Sequence, residues 1–81
     1  MMMQTHLSWD EIDQVLKELL EFHKNQLLKN GRRIIPHLTS DDVLQPNDFH
    51  ELEFNPHFRY DEGVVAGIQA AQMALWAFKK K

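Results

Sequence analysis

Five histidines stand among 81 residues, and three of them lie in a segment rich in carboxylates. His37, His50 and His57 are interspersed with Asp41, Asp42, Asp48, Glu51 and Glu53. Imidazole nitrogen and carboxylate oxygen form the donor set of zinc and other divalent-metal sites, so metal binding is the first chemistry to weigh. The spacing argues against it. A zinc-binding helix of the H-E-x-x-H type needs two histidines four residues apart on one face, and His50-Glu51 has no second histidine at that distance. No metal ligand is therefore assigned, and these histidines are expected to cap turns or pair with carboxylates on a solvated loop. His23 falls among apolar residues and is expected to be a core histidine with one hydrogen-bond partner.

Other chemistries find less support. The chain has no cysteine, and Ser8 and Ser40 both stand where a serine caps a helix, outside any G-x-S-x-G context. No glycine-rich loop could cradle a phosphate, because Gly63 and Gly67 fall inside a helical stretch whose N–H groups are already bonded. No catalytic and no cofactor-binding residue is assigned, and a non-enzymatic role is expected.

What remains is how so short a chain buries itself. Its hydrophobic fraction of 43% and charged fraction of 26% are those of an ordinary globular domain. Domains of this size usually supplement a thin core with disulfides, a metal or a partner subunit, and the lack of cysteine removes the first. The net charge is −3. Residues 41 to 62 carry Asp41, Asp42, Asp48, Glu51, Glu53, Asp61 and Glu62 against the single base Arg59. Bases gather at Lys24, Lys29, Arg32 and Arg33 and in the tail, Lys79 to Lys81. A nucleic-acid binder presents a dominant basic face, so no nucleic-acid partner is expected. The first residues lack the charged and apolar regions of a secretory signal. The longest uncharged run, Gly63 to Phe78, contains Gln69 and Gln72 and falls short of the ~20 apolar residues of a membrane span. A cytoplasmic protein without a membrane partner is the expectation.

Two long helices must position whatever surface carries function. Ser8 and Glu11 have the spacing of a capping box, and Leu7 with Ile12 fits a hydrophobic staple. Trp9, Ile12, Val15, Leu16, Leu19, Leu20, Phe22 and Leu27 then share one arc, and Asp13–Lys17 adds an ion pair at i,i+4. This helix is expected over residues 9–30, with Gly31 in the left-handed C′ conformation. The connector, residues 31–55, is expected to be packed and to contain short helical turns: one from the Thr39-Ser40 region through Leu44, stopped by Pro46, and one within 47–53. Its anchors are Ile34, Ile35, Leu38, Val43, Leu44, Phe49, Leu52 and Phe54. Asn55 as N-cap and Pro56 at the first position open the second long helix, over residues 56–78.

That second helix sorts its apolar residues by size. Tyr60, Val64, Ile68, Ala71, Leu75 and Phe78 form a bulky stripe, expected to pack on the first helix. Gly63, Ala66, Gly67, Ala70, Ala74 and Ala77 form a small one. Glu62, Gln69 and Gln72, with Val65, Met73 and Trp76, mark the third side. Each mid-helix glycine costs about 0.8–1 kcal/mol relative to alanine, which close packing of another helix would offset. Gly63, Gly67, Ala70 and Ala74 are accordingly expected to form an interface. Antiparallel helices would bring Asp10, Glu11 and Asp13 near the lysine tail. The fold expected is all-α: one domain, residues 1–81, of two long antiparallel helices joined by a structured acidic connector and forming a four-helix core as a homodimer. Its function is expected to be that of a protein–protein interaction or regulatory module, the alternatives being a His/carboxylate metal-binding protein using the acidic connector and a helical subunit of a larger hetero-complex.

Overall fold

Helix α1, Trp9–Ile34, opens as its first residues dictate. In the computed structural model, which describes residues 6–43 and 48–80, Ser8 is the N-cap and both bonds of the capping box form. The Ser8 N–H donates to Glu11 Oε1 at 2.9 Å, and the Glu11 N–H donates to Ser8 Oγ at 3.1 Å. Leu7 stays largely exposed, so the expected staple is not buried. The end of α1 differs from expectation. The helix runs through Gly31 to Ile34, caps at Ile35, and Gly31 has no positive φ. Gly31 is buried within the helix because the chain folds back over it: a Cβ there would lie 2.5 Å from Leu38 Cδ2 and 3.2 Å from Phe58 Cε1. Glycine serves here as a point of close approach, where the absence of a side chain matters more than conformational freedom.

The returning connector holds two single-turn helices, α2 (Ser40–Val43) and α3 (His50–Glu53). Thr39 and Asp42 exchange reciprocal bonds of 3.0 and 3.2 Å at the start of α2, a second capping box in miniature. The expected extension through Leu44 to Pro46 lies outside the described residues. Of the anchors, Ile35, Leu38 and Leu52 are buried and Ile34, Val43 and Phe49 pack against them, while Phe54 is exposed.

Helix α4, Pro56–Lys79, opens with Asn55 as N-cap, its side-chain oxygen accepting from the Phe58 N–H at 2.9 Å. It returns antiparallel along α1, and no strand occurs among the described residues. Charge ties the open end of this hairpin: Lys79 Nζ lies 3.7 Å from Asp13 Oδ2, and the Trp76 indole N–H donates to Asp13 Oδ1 at 3.0 Å. Asp13 thus faces α4 instead of pairing with Lys17 along its own helix. Near the connector, Asn30 Nδ2 donates to Asp61 Oδ2.

The stripe of α4 that meets α1 is not the bulky one. Phe58, Val65 and Gln72 are its buried residues, with Ile68 packed beside them, whereas Tyr60 and Phe78 are mostly exposed. The core gathers near the connector, where Leu27, Ile35, Leu38, Leu52 and Phe58 converge, and thins toward the termini. The result is a slab with extents of 50 × 31 × 19 Å. Its radius of gyration, 16.1 Å, exceeds the roughly 12 Å of a compact chain of this length.

Candidate functional site

The connector histidines do not assemble a site. His37, His50 and His57 are all exposed, and the His50 ring lies tilted against that of Phe54, their centroids 4.7 Å apart. Among the described residues, no group of three or more histidines and carboxylates comes close enough to hold a metal ion. His23 is half-buried and presents its ring edge-on to Phe22, 5.2 Å away. Local sequence proximity of these residues therefore yields no convergence, because short helices and turns aim successive side chains outward in different directions.

The feature that does emerge is an uncovered apolar surface. Val15, Leu19 and Phe22 of α1 are exposed, Phe22 by 56%, as are Tyr60 and Phe78 of α4. Ile12 and Leu16 on one helix, and Val64, Ile68 and Leu75 on the other, are only half-buried. Both groups lie on the same flank of the hairpin. The Trp9 and Phe78 rings meet there at 6.3 Å, and on a helix of 3.6 residues per turn these residues fall to one side of the α1–α4 contact. The opposite flank has another character. It carries α2 and a cleft of about 430 Å³ lined in part by Glu21, Lys24, Ser40, Asp41, Glu62 and Gln69.

Gly63, Gly67, Ala70 and Ala74 point away from α1 and are exposed. Among the described residues nothing lies within 4 Å of a Cβ built at either glycine, so no neighbour among them offsets their helix cost. The small stripe borders the apolar flank through Ala71, itself exposed.

Sequence periodicity places Val15, Leu19 and Phe22 on the same arc as Leu20 and Leu27. The breadth of that arc was the signal that was missed. Of the residues of α1 only Leu20, Leu27 and Gly31 are buried, Gly31 beneath Leu38 of the connector as well as Phe58 of α4, and the other side of the arc stays open. Compared with known protein families, curated proteins and solved structures, the chain matches none.

Proposed function

We propose that this chain is a non-enzymatic protein–protein interaction or regulatory module that acts as a homodimer, two hairpins joining in a four-helix core. One observation carries this reading: α1 and α4 form a single layer, and none of the described residues covers its apolar flank. Domains are built of at least two layers around a shared core, and α1 and α4 supply only one. The accessible surface supports the same reading. It is 6298 Å², against about 5,100 Å² for a compact monomer of 9.6 kDa. The excess, roughly 1,200 Å², is more than the ~800 Å² that each partner buries in a standard interface.

The small stripe of Gly63, Gly67, Ala70 and Ala74 lies outside that four-helix core and is proposed as a contact to a helix of another protein chain. Among the described residues no helix is long and apolar enough to cross a membrane. A native mass spectrum tests the whole reading, because it reports subunit count and bound metal together. Twice the chain mass without metal is expected. A monomer would refute the homodimer, and a stoichiometric divalent ion would favour a His/carboxylate metal protein.

A further inference from the structure

We propose that two copies of this chain meet through the flank formed by Val15, Leu19 and Phe22 of α1 with Val64, Leu75 and Phe78 of α4, each helix lying antiparallel to its counterpart. This rests on the homodimer reading and adds where, and in which orientation, the copies meet.

Spacing carries the first step. Along α1, Ile12, Val15, Leu19, Phe22 and Gln26 follow one another at alternating intervals of three and four residues. Along α4, Val64, Ile68, Ala71, Leu75 and Phe78 do the same. That alternation keeps a seam facing one partner helix over several turns, as in packed bundles. Both seams run along the same flank, so the hairpin offers two parallel ridges to a second layer. None of these ten positions carries a formal charge.

Area carries the second. The paired helices span about 36–39 Å at 1.5 Å per residue and about 20 Å in width. The face they present is therefore roughly 700–800 Å², the share each partner contributes to a stable interface.

Charge sets the orientation. Helix α1 has Asp10 and Glu11 in its first turn and Arg32 and Arg33 in its last. Helix α4 has Asp61 and Glu62 near its start and Lys79 at its end. Placing each helix antiparallel to its copy sets acidic beginnings against basic ends in both pairs. A parallel placement would set Asp10 and Glu11, Arg32 and Arg33, and Lys79 against their own copies, whereas at the start of α4 Arg59, 3.2 Å from Glu62, already offsets part of the acidic charge. A two-fold axis crossing the middle of both helices satisfies the two pairs at once.

The experiment is light scattering on the purified chain and its variants, with circular dichroism as the check on folding. Phe22→Glu and Leu19→Glu alter side chains already exposed in the protomer, so helicity should persist while the mass falls from twice 9.6 kDa to 9.6 kDa. Gly67→Leu, on the outward stripe, should leave the dimer intact. The absence of native cysteine permits a second arm. Phe22→Cys, near the midpoint of α1, should cross-link with a short thiol-reactive linker. Lys29→Cys should not, since antiparallel copies hold that position about 20 Å or more apart. A monomeric wild type would refute the homodimer reading itself. A dimer that survives both glutamate variants, or that dissociates only in Gly67→Leu, would overturn this placement alone. Efficient cross-linking of Lys29→Cys would overturn the antiparallel orientation.

Discussion

Gly31→Ala sets two effects against each other, and the structure decides between them. In an open helix the substitution is favourable, worth about 0.8–1 kcal/mol from backbone entropy. At Gly31 the new methyl would sit 2.5 Å from Leu38 Cδ2 and 3.2 Å from Phe58 Cε1, both well inside van der Waals contact. A leucine terminus could swing aside if it had space, but Leu38 and Phe58 are each only 1% exposed. Leu38 is also held by its backbone, its N–H donating to the Ile35 carbonyl at 3.0 Å and its carbonyl accepting from Arg32 Nε at 2.8 Å. Overpacking a closed core costs about 1–3 kcal/mol. The net expectation is a loss of up to about 2 kcal/mol, seen as a melting temperature lower by up to roughly 16 °C in a domain of this size. The assay is thermal and urea unfolding at fixed protein concentration, since association shifts apparent stability. A second measurement identifies the cause. Leu38→Ala alone should cost about 2–5 kcal/mol, and the double variant should cost less than the two singles together. A Gly31→Ala protein as stable as the wild type, or additivity in the cycle, would refute the close-packing account.

Three further outcomes follow from the same geometry. Gly67→Ala, where nothing lies within 4 Å of the added carbon, should raise unfolding stability by about 0.8–1 kcal/mol in the isolated protein, and a loss would reveal an unseen neighbour on that stripe. Asn55→Ala removes the acceptor for the Phe58 N–H and should cost about 1 kcal/mol in a urea titration, with Asn55→Ser recovering most of it. At the start of α1, the Ser8 backbone N–H, aided by the Ser8 hydroxyl, holds the Glu11 carboxyl below the ordinary glutamate range. A depressed folded-state pKa gives stability that is full above the unfolded value and is lost as pH falls through the folded one, so Glu11→Gln should flatten the acid limb of the stability–pH curve and leave its slope near neutrality unchanged.

Helix starts were legible because their chemistry is local. Ser8 with Glu11, Thr39 ahead of Asp42, and Asn55 ahead of Pro56 each satisfy N–H groups within three residues, and no distant partner can change that arithmetic. The end of α1 was not legible for the opposite reason. Asn30-Gly31 reads as a stop only if glycine's conformational freedom is what is being used, whereas its role depends on Leu38 and on Phe58, which arrives 27 positions later. The face of α4 was misjudged because that helix is apolar on nearly every side, so size and hydrophobicity cannot select the stripe that meets α1. The connector's packing was read correctly at Ile35, Leu38 and Leu52, yet Phe54 shows that an aromatic residue in a turn need not point inward. The uncovered flank could be found only once the axis of contact between the helices was known, since the same residues viewed on a wheel alone simply extend the core.

The distribution of polar groups makes that flank hard to reconcile with a solitary hairpin. A lone pair of helices should reserve its seam for apolar side chains and leave its sides to polar ones. Here the seam carries Asp13, Asn30, Asp61 and a buried Gln72, and it is held partly by hydrogen bonds and an ion pair. Among the described residues no buried side-chain polar atom is left without a partner, so these groups do not disrupt the seam; they fix its register and direction. Meanwhile Val15, Leu19, Phe22 and Phe78 stand exposed on a flank whose seam positions carry no formal charge. The polar seam therefore reads as an orienting device within one layer, which leaves the apolar flank free for the second copy proposed above.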